Sequence, residues 1–329
     1  MSLKNKAGGG SLWINPVLDK EFRLRMRTPR SFVALLIYVM VLGLLAIGFI
    51  YVTTGLQDQQ SGGRFDPSVS RVLFYVLSIA QLVLIAFMTP ALTAGVISGE
   101  REKQTLNILL TTQQSSSAIV LSKLFSSLAF MVLIVLATLP VYSIVFLYGG
   151  ISPSQLALVF LFYLFTMLLL GALGIMCSTI FKRTIISVIM TYGMTMFIFA
   201  ATGVAYLLML AIVQQSYYSG TVPPKYSWVG FILGLNPVGA LVSIFEPGIS
   251  KQAFLVNSGN LQGKAPIALW LQFLLVYSVV IVGALWVAIR RIRPVRRKRR
   301  EDDFDAPNNG ASAGEVAEMK PAEGMKNDK

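Results

Sequence analysis

A series of apolar stretches, each long enough for an α-helix to cross a hydrocarbon core, limits what this chain can fold into more than any other feature. A crossing helix needs about 20 consecutive apolar residues, because in lipid every backbone N–H and C=O has to be satisfied within the segment itself. Six such stretches occur, at about 32–52, 71–97, 121–148, 155–180, 185–213 and 267–289. Charge is correspondingly scarce. Of the 329 residues 13% are charged and 55% hydrophobic, with a mean hydropathy of +0.67, where a soluble domain carries roughly 25% charged residues. The first stretch is too long for the h-region of a signal peptide and is not followed by a small-residue cleavage site.

The net charge of +13 would suggest nucleic acid in a soluble chain. In a membrane protein the position of each charge matters more than the sum. With the N-terminus inside, 23 of the 28 Lys and Arg fall on the inner side, and Arg64, Arg71, Lys225, Lys251 and Lys264 fall outside. The opposite orientation inverts that ratio, so both termini are expected in the cytoplasm and no nucleic-acid partner is expected. The basic block RRIRPVRRKRR then rests on anionic headgroups. Beyond it, 301–329 is expected to be disordered, as is 1–11, since almost no large apolar residue occurs there. One domain is expected over 12–300. The single cysteine, Cys177, lies inside an apolar run and is read as core packing.

One further apolar segment, 228–245, is long enough to suggest a seventh span. Asn236-Pro237 interrupts it, with Asn placed to cap and Pro to open a new helix, and Glu246-Pro247-Gly248 is expected to stop it. A seventh crossing would also carry the basic block outside. Two half-helices that dip in from the outer face and return fit better: an outer re-entrant hairpin before the last span.

Two polar segments carry further information. In the first, Asn15 and Pro16 can open a helix on which Leu18, Phe22 and Met26 form one stripe while Lys20, Arg23 and Arg27 form another. That is the pattern of an amphipathic helix over 15–27 lying in the membrane interface. In the second, between spans two and three, Ser98 or Gly99 can cap a short helix with Glu100 and Glu102 in its first turn, where the helix dipole favours negative charge. Leu106, Leu109 and Leu110 then make an apolar patch at i, i+3, i+4 spacing. A solvated loop and a docking element both fit these residues.

The string GVISGEREKQTLNILLTTQQSSSAIVLSK resembles the loop signature of ABC-2 type transporter permeases, and WINPVLDKEFRLRMRTPR resembles the elbow that opens many of them. With the six spans and the hairpin, the similarity covers about 12–292. The resemblance implies that 98–112 is a cytoplasmic coupling helix docked on a nucleotide-binding subunit. The matching positions are Gly99, Glu100, Arg101, Glu102, Thr105, Leu106, Leu109, Leu110 and Lys123. The sequence departs where the family often has Gly before the Thr (here Gln104) and Pro after the double Leu (here Gln113-Gln114). The resemblance further implies a permease subunit of an ABC exporter in a bacterial cell membrane. Its partners would be ABC nucleotide-binding subunits, a second permease chain (the same or a paralogue) and membrane lipids. The chain itself would bind no cofactor, ATP and Mg²⁺ belonging to the partner subunit.

Competing classes lack the residues they need. The nearest string to a phosphate-binding loop, Gly259 to Lys264, has one residue too few between its glycines and is followed by Ala265. An intramembrane enzyme would need a base or a metal cluster, and the chain has no His. An ion-coupled carrier buries ionisable residues along its path, whereas only Arg71 and Lys123 touch a span, each at its end. Span five carries Thr184, Ser187, Thr191, Thr195 and Thr202 within an arc of about 80° at 100° per residue. That stripe either lines a translocation path or packs helices together. Gly171, Gly174 and Ser178 form a close-packing face on span four. An amphipathic or lipid-like cargo is expected, since the spans offer no charged site.

Overall fold

The computed structural model describes residues 29–57, 67–105, 116–147, 151–218, 228–254 and 266–292. The elbow residues Asn15, Pro16, Leu18, Phe22, Arg23, Met26 and Arg27, the leucines Leu106, Leu109 and Leu110, and both terminal tails lie outside the described residues.

The described residues form helices and no strand. In chain order these are α1 (Pro29–Gln57), α2 (Pro67–Thr93), α3 (Ser98–Glu102), α4 (Ser116–Leu136), α5 (Leu139–Leu147), α6 (Pro153–Ile180) and α7 (Thr184–Met196). A π-helical turn, Phe197–Ala201, leads into α8 (Thr202–Tyr218), followed by α9 (Val229–Leu235), α10 (Pro237–Phe245), α11 (Pro247–Phe254) and α12 (Leu269–Ile292). Six helical stretches are long and apolar enough to cross a membrane: Phe32–Thr53, Val69–Glu102, Ser116–Phe146, Pro153–Ile180, Thr184–Gln215 and Leu269–Ile292. The six expected spans are therefore present, with shifted ends. Span three starts five residues earlier than expected, which moves Lys123 from a helix end to two turns inside.

Three spans are broken, two of them near a proline. Pro90 sits inside α2 and cannot donate to the helical ladder; the helix gives way to a turn after Thr93 and resumes at Ser98. Span three stops at Leu136 and restarts at Leu139, with Pro140 in the new first turn, where a missing N–H costs nothing. Gln81 from span two covers that break, its Nε2 donating to Thr138 Oγ1 at 3.1 Å. The π-turn in span five frees backbone carbonyls that a regular helix would occupy.

Span four is the centre. Ser152 opens it with a capping box: its hydroxyl accepts from the Gln155 backbone, Gln155 Oε1 accepts from the Ser152 N–H, and Pro153 follows at the first helical position. The helix packs against spans two, three, five and six. Lipid is as apolar as leucine, so helices associate in it through close packing rather than a hydrophobic drive. Gly174 allows that approach: a Cβ there would lie 2.1 Å from Thr93 Oγ1. A Cβ at Gly171 would lie 3.0 Å from Leu124 Cδ1. Span one is peripheral. Tyr38, Leu42 and Ala46 bury one face of it, while Phe32, Leu36, Met40, Leu44 and Ile47 point away.

The segment 228–245 holds two short helices, α9 and α10, and a third, α11, follows it. At 1.5 Å per residue, α9 and α10 are about 10 and 14 Å long, each well short of the ~30 Å core. Asn236 is the cap expected from sequence, its Oδ1 accepting from Val238 N at 2.8 Å and Gly239 N at 3.2 Å, with Pro237 next. Glu246-Pro247-Gly248 stops α10 and also begins a further helix. Glu246 is extended and Pro247 opens α11, because a proline that cannot continue one helix is well suited to begin the next.

Candidate functional site

The Ser98–Thr105 segment is tied into the bundle by consecutive charged side chains, each reaching a different span. Glu100 Oε1 pairs with Lys123 Nζ of span three. Arg101 Nη2 donates to the Thr179 carbonyl at the end of span four, 3.3 Å away. Glu102 accepts from both the backbone N–H and the hydroxyl of Thr184, each at 2.8 Å, and so caps the start of span five.

Beneath these charges Ser178 anchors the turn that leads into α3. Its Oγ accepts from the backbone N–H of both Ile97 and Ser98 at 2.9 Å. These are donors that the opening of a helix leaves without intrahelical partners. Ser98 and Gly99, the two capping candidates in the sequence, both lie inside α3. The cap position is Ile97, which has no capping side chain, and Ser178 supplies the acceptor from another span. Gly99 faces Thr184 with room to spare, a Cβ there meeting Thr184 Oγ1 at 3.8 Å. Thr105 Oγ1 donates back to the Glu100 carbonyl at 3.2 Å.

Within 98–112 the described residues hold α3 over Ser98–Glu102, and Thr105 is helical again. Lys103 caps α3, and Gln104 takes φ 58°, the left-handed region that closes many helices and favours Gly. This is the position where ABC-2 permeases often carry Gly. The departure noted in the sequence thus puts a side chain on a strained backbone.

Lys123 is 3% exposed, and the Glu100 side chain 31%. Glu100 Oε2 is buried without a hydrogen-bond partner among the described residues. A charge removed from water is tolerated when paired, and the pair fixes span three to α3. Among the described residues no three His, Cys, Asp or Glu side chains are grouped to hold a metal ion.

The hydroxyl stripe of span five divides. Ser187, Thr191 and Thr195 are buried. Ser187 donates to the Ala94 carbonyl of span two at 2.6 Å, while Thr191 and Thr195 donate to carbonyls one turn back. All three are turned into the bundle of this chain. Thr184 belongs to the Glu102 cap. Thr202 follows the π-turn, which breaks the 100° periodicity, and accepts from Asn236 Nδ2 at 3.0 Å. Asn236 Nδ2 also donates to the Phe199 carbonyl at 2.8 Å, one of those inside the π-turn. Tyr277 Oη donates to the Leu235 carbonyl at 2.9 Å and Gln272 Nε2 to the Phe231 carbonyl at 2.8 Å. The irregular backbone around Asn236 is satisfied by spans five and six, as a non-aqueous site requires.

Sequence reasoning singled out Gly99 to Glu102, Lys123, Ser178, Thr184, Thr202 and Asn236 but did not pair them. Gln81, Thr138, Thr179 and Gln272 passed unnoticed. The available signal was a glutamine inside an otherwise apolar span, in spans two and six, which demands a partner.

Six long apolar helices, one of them a glycine-faced centre packed against four others, with a charged segment bonded to three of the six at one end, define a polytopic helical membrane protein. The profile of the family described as "ABC-2 family transporter protein" matches residues 15–291. The chain belongs to that family, as the loop and elbow motifs implied, and is a membrane component of a transporter. No curated protein matches the chain significantly.

Proposed function

We propose that this chain is the permease subunit of an ABC exporter, with ATP and Mg²⁺ held by separate nucleotide-binding subunits. Both termini lie in the cytoplasm, following the Lys and Arg distribution. A second permease chain, the same or a paralogue, completes the path. The elbow over 15–27 braces the first span in the interface, and α9 with α10 forms the hairpin that dips in from the outer face. Cargo is amphipathic or lipid-like, because Lys123, the one buried cation among the described residues, pairs with Glu100 at the end of the bundle.

The observation that carries this reading is the attachment of Glu100, Arg101 and Glu102 to spans three, four and five. A docked loop does work only if its displacement reaches the helices that form the path. Three consecutive side chains on three spans give a rigid connection, where a solvated loop would dissipate the motion. Closure of the ATP-binding partners would move the 98–112 segment, and the three spans would follow as one body. Leu106, Leu109 and Leu110 supply the apolar surface that meets the partner.

Replacing Leu109 and Leu110 together by Asp tests this. Partner-stimulated ATPase activity should fall to the level of the partner alone, while the variant still inserts as a folded membrane protein. ATPase stimulation that survives the double change would remove the docking assignment. Native co-purification of the unsubstituted chain should bring down an ATPase subunit, and flux driven by an ion gradient without any ATPase would exclude the ABC reading altogether.

A further inference from the structure

At the end of the bundle opposite Ser98–Glu102, a cavity of about 700 Å³ separates the first half of span four from the start of span six, with α10 and α11 closing one side. Its size lies in the range of small-ligand sites, roughly 300–1,000 Å³. The wall is apolar and opens away from the protein: Leu161 and Leu164 on span four are exposed, with Phe165, Leu274 and Ile244 further in and Trp270 alongside. From Leu158 to Leu168 the span-four lining runs ten residues, about 15 Å, or half of a ~30 Å hydrocarbon core. That is the depth of one leaflet.

The polar groups in the wall are already engaged. Ser243 Oγ donates to the Ala240 carbonyl at 2.7 Å and accepts from Trp270 N at 3.1 Å. Ser250 Oγ accepts from Leu269 N at 3.5 Å. Lys251, in the last turn of α11, is exposed and forms no ion pair among the described residues. It is also one of five basic residues assigned to that side of the membrane, where Lys and Arg are generally depleted.

We infer that this groove holds an acyl chain of an anionic phospholipid from the surrounding bilayer, with the headgroup phosphate on Lys251. An apolar slot one leaflet deep, with a single cation beside it, matches an acyl chain joined to one negative headgroup. A zwitterionic headgroup carries its own ammonium next to the phosphate and gains less from the lysine. The site does not depend on ATP coupling and stands or falls separately from the permease reading.

Trp270 provides the probe, as one of four tryptophans with Trp13, Trp228 and Trp286. The full chain with those three changed to Phe is placed in nanodiscs containing brominated phosphatidylglycerol or brominated phosphatidylcholine. Phosphatidylglycerol should quench Trp270 at about one-fifth the lipid fraction that phosphatidylcholine requires, the preference one basic side chain near an anionic headgroup supports. Lys251→Gln should abolish the difference and Lys251→Arg should keep it. Equal quenching by both lipids overturns the inference. So does the absence of quenching by either, which would mean that protein, such as a second copy of the chain, covers the groove. If the triple Phe variant fails to fold, native mass spectrometry of lipid retained by the unsubstituted chain and by Lys251→Gln reads the same preference.

Discussion

The two ends of the bundle are held together by different physics. At the end bearing α3, a few directional bonds between charged or polar groups each join two elements: Glu100 with Lys123, Arg101 with Thr179, Glu102 with Thr184, and Ser178 with two backbone N–H groups. At the other end the side chains of Asn236, Gln272 and Tyr277 satisfy backbone carbonyls, and aromatic contact does the rest of the work of holding α9, α10 and α11. Tyr75 stacks on Phe245 at 4.6 Å, Phe74 meets the same ring edge-on at 5.3 Å, and Phe231 meets Phe254 at 5.0 Å. A Cβ at Gly230 would lie 2.6 Å from Phe254 Cδ1. Contact packing sets distances and spreads its cost over many atoms. Directional bonds set orientation, and each depends on one partner. The first kind suits an element that stays in place; the second suits an element whose movement has to be felt elsewhere.

If that contrast holds, single substitutions should damage the α3 end more than the far end. Lys123→Ala has the largest expected effect. It leaves Glu100 partly buried without its cation, at a cost of about 3 kcal/mol, the low end for a broken buried pair because Glu100 keeps some contact with water. The measurement is thermal unfolding of the purified chain in detergent, and a Tm unchanged from the unsubstituted chain would refute the pairing. Asn236→Ala should cost about 1–2 kcal/mol by removing a helix cap together with its bond to the π-turn carbonyl. A loss exceeding that of Lys123→Ala would reverse the comparison. Glu102→Ala uncaps span five at an exposed position and should lower Tm by less than either. Gln104→Gly runs the other way: relief of a left-handed side chain should stabilise by about 0.5–1 kcal/mol, with partner-stimulated ATPase retained.

Much of the architecture was legible along the chain because it depends on runs and spacings. Apolar length defined six spans, and Asn236-Pro237 marked a helix boundary because both residues act within one turn of themselves. Gly171 and Gly174 announced a close approach by lacking side chains. The interruptions were harder to see. Pro90 and Pro140 lie in plain view, yet where each helix resumed depended on partners such as Gln81. The π-turn at Phe197–Ala201 has no marker in its sequence FIFAA, and it moved Thr202 off the stripe that a uniform 100° rotation had drawn.

The Gly-Glu-Arg-Glu segment shows the same division. Its residue types and the family it belongs to follow from the sequence alone, as does the membrane class, because apolar run length and charge placement are properties of a line. That Glu100, Arg101 and Glu102 reach three separate spans was decided only by the tertiary structure. Their partners lie 23, 78 and 82 residues away, and nothing local selects Lys123, Thr179 or Thr184 among the other polar residues. The choice follows from how the spans rotate and pack around Gly171 and Gly174, a packing that exists only once the bundle has formed.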